Sequence, residues 1–304
     1  QHRSQIYSFQ TPPTVNPTAA ISFLAFADVG YDTGGETVTA AVVKYLARHN
    51  NRSLAEQDLF LLHAGDLAYT HNVQKVWDSY GEMIEGITSQ IPYMVSVGNH
   101  EDHDFFKPFN TRFTMPVSSG SHENMYYSYN VGPVHIMSLS TESDFKKHSD
   151  EYTFIMNDLK AVNRDITPWL IAVFHRPWYT SNIKHEAGVG SEMRKVFEAA
   201  FHEYKVDLVI EAHVHSYERV YPVYQEKIDL TYGTMYGNVG NGGRDETNKW
   251  IEPQPVWSAF RDSDVLGFSE INIVNVTHLN WRMISAKTLE VVDKYTLVRQ
   301  YPRP

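Results

Sequence analysis

Leu59-Phe60-Leu61-Leu62-His63-Ala64-Gly65-Asp66-Leu67-Ala68-Tyr69 is the stretch from which the architecture is read. A short apolar run delivers a Gly, then an Asp, then a Tyr three residues later. A strand ending on Gly-Asp sets a carboxylate at its C-terminal edge, where open α/β sheets bind ligands. Taken alone, Gly-Asp-x-x-Tyr reads more readily as a turn with a packed aromatic. The rest of the chain has to supply Asp66 with neighbours.

It does so four times. A buried-type strand over 21–27 ends in Asp28-Val29-Gly30. Helical spacing follows over 36–49, with Val38, Val42, Tyr45 and Leu46 on one face. After the strand over 59–63, a helix is predicted over 73–87 from Val73, Val76, Trp77, Tyr80, Met83 and Ile84. The next strand, over 92–97, ends in Gly98-Asn99-His100-Glu101. This is a βαβαβ rhythm in which every strand delivers a metal-capable or catalytic side chain.

Further on, 102–115 reads as an irregular loop, and 126–140 alternates and breaks at Gly132-Pro133 as a hairpin would. A helix over 152–162 precedes a strand over 169–174 that ends in His175-Arg176-Pro177. A helix over 191–204 buries Met193, Val196, Phe197 and Ala200. The strand over 206–210 then runs into Glu211-Ala212-His213-Val214-His215. Shorter strands are expected over 220–224, 235–239, 270–276, 279–285 and 291–298, with a Gly-rich turn at 240–243. Parallel βα units followed by antiparallel strands predict an α/β fold. The expected form is a four-layer α/β/β/α sandwich of two mixed sheets, with helices outside and a site at the strand C-terminal ends. No internal repeat is present.

Composition narrows the function. The formal charge, 26 − 36 = −10, argues against a nucleic-acid partner. A phosphate-bearing substrate would need positive charge concentrated locally, for instance by metal ions. The absence of cysteine removes disulfides, thiolate chemistry and Cys-ligated zinc. No apolar run approaches the roughly 18 residues of a membrane span. No signal peptide stands at the start, so a secreted protein would be present in processed form. The sequons Asn51-Arg52-Ser53 and Asn275-Val276-Thr277 are compatible with a secretory route.

Asp28, Asp66, Tyr69, Asn99, His100, His175, His213 and His215 collect at strand ends. Carboxylates, an amide oxygen and imidazoles make a hard-to-borderline ligand set. Their number exceeds the needs of one metal and fits two ions about 3.5–4 Å apart, bridged by a carboxylate for which Asp66 is the choice. His213 and His215 lie two apart, so in an extended segment both face one side. His63, His103, His122 and His135 read as structural or solvent-exposed. The 240–243 turn reads as a turn beside the pocket rather than a phosphate cradle, since no parallel strand leads into it and no helix follows.

Asp28-Val29-Gly30, Gly65-Asp66-Leu67-Ala68-Tyr69, Gly98-Asn99-His100-Glu101, Val173-Phe174-His175 and Ala212-His213-Val214-His215 resemble, in order, the five motif blocks of the purple acid phosphatases. These are calcineurin-like binuclear metallophosphoesterases. The likeness continues through Phe106-Lys107-Pro108-Phe109 with Arg112, His175-Arg176-Pro177-Trp178-Tyr179, His215-Ser216-Tyr217-Glu218-Arg219 with Pro222-Val223-Tyr224, and Trp257-Ser258-Ala259-Phe260-Arg261. It covers about residues 18 to 300.

The resemblance implies that Asp28, Tyr69 and His215 hold iron(III), with Asp66 shared. Asn99, His175 and His213 would hold a divalent zinc, manganese or iron. His100 and His185 would be the catalytic, substrate-contacting histidines. The related Ser/Thr protein phosphatases carry Gly-Asp-x-x-Asp-Arg-Gly where this chain has Tyr69, and a phenolate suits a trivalent ion. Asp28, Asp66, Tyr69 phenolate and a bridging hydroxide bring about −4 against about +5 from the ions, leaving about +1 to attract a phosphate. The implied reaction is acid hydrolysis of small phosphate monoesters by in-line attack of a metal-bound hydroxide, in an extracellular or lysosomal/vacuolar setting. Alternatives are a phosphodiesterase or phytase-like preference, or a non-catalytic phosphate-binding surface protein. Oligomeric state is unspecified.

The family pattern has Gly where this chain has Ala212, which would strain the backbone if that position needs a positive φ. Residues 1–17 look like a residual strand and linker of an upstream fibronectin-like domain, and 18–304 like the catalytic domain.

Overall fold

The computed structural model describes residues 6–7, 11, 13–49, 58–183, 188–244 and 249–300. Two mixed sheets pack face to face. One has the order β14-β13-β12-β1-β2-β3, and the other β11-β8-β10-β7-β6-β5-β4 with β9 paired to β8. In the first, β1 (Ile21–Phe26), β2 (Asp58–Ala64) and β3 (Tyr93–Ser96) are parallel. The antiparallel β12 (Gly267–Ile273), β13 (His278–Ser285) and β14 (Val291–Val298) extend it. In the second, β4 (Tyr127–Val131) pairs as a hairpin with β5 (Val134–Ser138). The strands β5, β6 (Trp169–Val173), β7 (Leu208–Glu211) and β10 (Thr234–Val239) run parallel. The antiparallel β8 (Tyr217–Tyr224), β9 (Lys227–Ile228) and β11 (Ser258–Asp262) complete it.

Period-two alternation explains the layers, because successive strand residues point to opposite faces. Ile21, Phe23 and Ala25 of β1 join Trp169, Ile171 and Val173 of β6 in the apolar core between the sheets. Leu24 and Phe26, and likewise Leu170 and Ala172, face the other way into the helix-covered core. Helices α1 (Thr33–His49) and α2 (Gln74–Thr88) contribute Val38, Val42, Leu46, Trp77 and Tyr80 to that core. Helices α4 (Asp150–Ala161) and α5 (Val189–Glu203) contribute Phe154, Ile155, Met193 and Phe197. The expected four-layer sandwich is the fold found.

Polar fastenings reinforce the inter-sheet core. Arg219 of β8 meets Asp293 of β14 through two hydrogen bonds of 2.7 and 3.0 Å. Tyr217 Oη also donates to Asp293, at 2.8 Å, while accepting from Trp281 Nε1.

Some expectations shift. The predicted loop over 102–115 contains a short helix, α3 (Lys107–Arg112), entered through Phe106 at φ 61°. Six residues are too few to show a helical period. His63 is structural as expected: it is fully buried, with Nδ1 2.6 Å from Tyr93 Oη. Residues 6–7 form no strand, and 8–9 of the alternating stretch expected over 6–9 lie outside the described residues. Asn51 does as well.

Candidate metal centre

Backbone hydrogen bonds gather the C-terminal ends of both sheets at one edge. Ala27 N–H, after β1, donates to Val239 O of β10 at 3.1 Å, and Asp28 N–H donates to Gly65 O. The sheets meet again where His175 Nδ1, after β6, lies 2.9 Å from the Ala64 carbonyl of β2. A Cβ at Gly65 would stand 2.6 Å from His175 Nδ1, so only glycine lets strand and ring approach this closely. One at Gly98 would stand 2.3 Å from Asp66 Oδ1.

Asp28, Tyr69 and His215 come together. Tyr69 Oη donates to Asp28 Oδ1 at 2.9 Å and lies 2.9 Å from His215 Nε2. The third edge, His215 Nε2 to Asp28 Oδ1, is 3.5 Å. Atoms bound about 2.0–2.2 Å from one ion stand about 3–3.5 Å apart, so the triangle has the dimensions of a coordination face. Burial first, and then the Asp28 carboxylate, raise the Tyr69 phenol well above its ordinary value, so without a cation it keeps its proton.

A second group forms around Asp66. Its Oδ1 accepts His100 N–H at 2.9 Å. Its Oδ2 accepts no hydrogen bond among the described residues and faces His175 Nε2 at 3.2 Å. A carbonyl can only accept, so His175 Nδ1 carries the proton bonded to Ala64. In the neutral ring the Nε2 lone pair then points at a carboxylate and, at 3.1 Å, at His213 Nδ1. Lone pairs packed this way repel unless a proton or a metal lies among them. Burial opposes a charged His175, but Asp66 overrides it and lifts the pKa to about 10. Burial alone would raise the Asp66 carboxyl, yet the charge on His175 holds it well below the usual carboxylate range. Asn99 Oδ1 is also buried without a hydrogen-bond partner among the described residues. The ligand atoms of Asp66, His175 and His213 lie within 4.8 Å of one another. Two buried oxygens without a hydrogen-bond partner among the described residues, one of them 3.2 Å from a His175 nitrogen, fit a cation.

Asp28 at φ 55°, Asp66 at 55°, Tyr69 at 49° and His213 at 70° all sit in the left-handed region. This corrects two expectations. His213 and His215 are not related by an extended segment; the chain bends at His213, whose N–H donates to Asp28 Oδ2 at 2.9 Å. The positive φ falls on His213 and not on Ala212, so alanine there carries no penalty of that kind.

His100 stands beside both groups. Its ring centroid is 4.3 Å from that of Tyr69, and its Nε2 is 3.8 Å from Asp66 Oδ2. His185 lies outside the described residues. Contrary to expectation a parallel strand, β10, leads into the 240–243 turn. The turn lies against the Asp28 loop, with Gly242 N–H donating to Ala27 O and Arg244 N–H to Asp28 O at 3.1 and 3.0 Å.

Sequence reasoning gave no role to three supporting residues. Glu101 accepts the backbone N–H groups of Asp66, Leu67 and Gly98 at 2.8, 2.8 and 2.9 Å. Burial and the neighbouring Asp66 raise the Glu101 carboxyl, against these backbone N–H groups, which favour its ionised form. Its place three residues after Gly98, at the third position of a one-turn 3-10 helix (Asn99–Glu101), was the available signal. Arg176 docks on Glu142 at 2.8 and 3.1 Å and brings Nη1 to 3.4 Å from His213 Nε2.

The calcineurin-like phosphoesterase family matches residues 21–217, and the iron/zinc purple acid phosphatase-like protein C family matches 233–294. The chain is 37% identical over 289 residues to probable purple acid phosphatase 20 of Arabidopsis thaliana, a match covering 91% of this chain and 64% of that relative. It is 38% identical over 285 residues to purple acid phosphatase 21 of the same plant, covering 90% and 61%. The solved structure of purple acid phosphatase PPD1 from yellow lupin (Lupinus luteus) seeds matches with a TM-score of 0.87 and 26% identity, covering 98% of this chain and 57% of that one. The chain therefore belongs to the purple acid phosphatase family of calcineurin-like phosphoesterases, and spans less than two thirds of these relatives' length. Membership implies a binuclear metal centre. Among the described residues, no helix is long and apolar enough to cross a membrane.

Proposed function

We propose that this chain acts as a binuclear-metal acid phosphatase on small phosphate monoesters. Asp28, Tyr69 and His215 hold iron(III), and Asn99, His175 and His213 hold a divalent zinc, manganese or iron, with Asp66 shared between them. The observation that carries the reading is the triangle of Asp28 Oδ1, Tyr69 Oη and His215 Nε2, with edges of 2.9, 2.9 and 3.5 Å. A phenol at the corner of such a face suits a hard, trivalent ion. When bound, the pair of ions supplies Lewis acidity that activates water and neutralises charge on the phosphoryl group.

The chain's own residues do the rest. Glu101 fixes the backbone that aims Asp66, and Ala64 fixes the His175 tautomer that presents Nε2. His100, half-buried beside Asp66 and Tyr69, donates a proton to a phosphoryl oxygen or to the departing alkoxide. His185 is assigned the same kind of contact on the resemblance alone. An extracellular or lysosomal/vacuolar setting, glycans on the sequons, and residues 1–17 as the residual strand and linker of an upstream fibronectin-like domain belong to the same proposal.

The test is turnover of an aryl phosphate between pH 4 and 8, with metal analysis on the same sample. About two ions per chain and an acid optimum are expected. One ion or none, or no turnover with both ions bound, would sink the reading. Tyr69→Phe should remove the visible colour of the iron-loaded protein.

A further inference from the structure

We propose that Arg244 is a positioning residue for Tyr69: its guanidinium, anchored by Asp32, fixes the phenol ring, withdraws electron density from it, and so sets the colour and reduction potential of the iron that Tyr69 holds. The inference rests on the iron(III) assignment proposed above.

The Arg244 guanidinium carbon lies 4.6 Å from the centroid of the Tyr69 ring. Two further contacts hold it there. Its backbone N–H donates to the Asp28 carbonyl at 3.0 Å, which ties it to a second residue of the same ligand triangle. Its Nη1 donates to Asp32 Oδ2 at 2.5 Å. The other Asp32 oxygen accepts the N–H groups of Gly34 and Gly35 at 3.1 and 3.2 Å, so the anchor is part of the start of α1. Gly30, at φ 70°, clears the space. A Cβ there would stand 2.8 Å from Arg244 Cδ and 3.4 Å from Tyr69 Cδ2. Loops after β1, β2 and β10 thus close on one stacked pair.

A cation over an aromatic face lowers the energy of the ring electrons, and more so for a phenolate. Asp32 offsets the charge of Arg244 at long range, but the ring faces the guanidinium directly. Electrons held lower on the phenolate need more energy to move to iron(III), which places the visible band at shorter wavelength. A weaker donor also leaves the ferric state less favoured, which raises the potential. A planar guanidinium can do this by stacking, whereas a lysine ammonium carries only the charge.

The experiment compares iron-loaded wild-type protein with Arg244→Met, Arg244→Gln and Arg244→Lys, reading iron content, the visible absorption maximum and the reduction potential. Met and Gln should keep iron, move the band to longer wavelength on the order of 10 nm and lower the potential. Lys should fall between them and wild type. A wild-type band that Met and Gln leave in place overturns the role of Arg244 alone. An iron-loaded wild type with no visible band overturns the Tyr69 assignment and this inference with it. Loss of iron from both Met and Gln variants also overturns it, because a residue that only tunes a ligand leaves the metal bound.

Discussion

The Glu101 carboxylate accepts the backbone N–H of Asp66 at 2.8 Å across 35 positions of sequence. The carboxylate proposed to be shared by two metals is therefore aimed by a residue outside the ligand set. Glu101→Gln keeps the shape but turns an NH₂ group toward one of the three N–H donors. That leaves a buried donor unpaired, at a cost of about 1–3 kcal/mol. Urea unfolding should register the loss, and metal analysis should show weaker retention. Unchanged values in both would assign the clamp no role.

His100→Ala should leave metal content unchanged and reduce kcat on an aryl phosphate by about 10²–10⁴, the usual weight of a positioned proton donor. Wild-type turnover would remove His100 from the chemistry. Loss of metal would recast it as part of the scaffold.

Asp293 is the shared acceptor of Arg219 and Tyr217 between the two sheets. Asp293→Ala strands a buried guanidinium and should cost about 3–5 kcal/mol in unfolding free energy. The double variant Arg219→Met/Asp293→Leu should recover most of it. If the single variant loses under 1 kcal/mol by the same measurement, water reaches the pair.

Two buried groups give stability opposite dependences on pH. Burial raises the Glu218 carboxyl above its ordinary 4.5, against hydrogen bonds from Ser181 and Ser258. The folded state then holds a proton that the unfolded state has lost. Its contribution is full below pH 4.5 and fades as pH rises through the folded value. Burial lowers His63 from 6.5 to about 3, so its contribution is full above 6.5 and fades as pH falls toward 3. Glu218→Gln should gain on wild type as pH rises from 4.5, and His63→Phe should gain as pH falls below 6.5. Urea titrations at several pH values test both, and differences that stay flat with pH contradict the two shifts.

Much of the centre was legible because its residues stand where the hydrophobic pattern stops. Gly65-Asp66 and Gly98-Asn99-His100 interrupt strands visibly, and the longer helices announce themselves by period. What was hidden is set by distance along the chain. Arg244 finds Asp32 across 212 positions, and no local pattern encodes that pairing. Placing β12 beside β1 is equally non-local. The bend at His213 was missed for another reason. His-x-His suggests alternation, but the hydrogen bond to Asp28 turns the chain there.

The left-handed backbone at Asp28, Asp66, Tyr69 and His213 has an evolutionary consequence. Each such non-glycine residue costs roughly 1 kcal/mol or more, and glycine or asparagine would relieve much of it. A population of variants selected only for resisting heat, with metal withheld, would therefore drift toward Gly or Asn at positions 28, 66 and 213. The fold would improve while its chemistry disappeared.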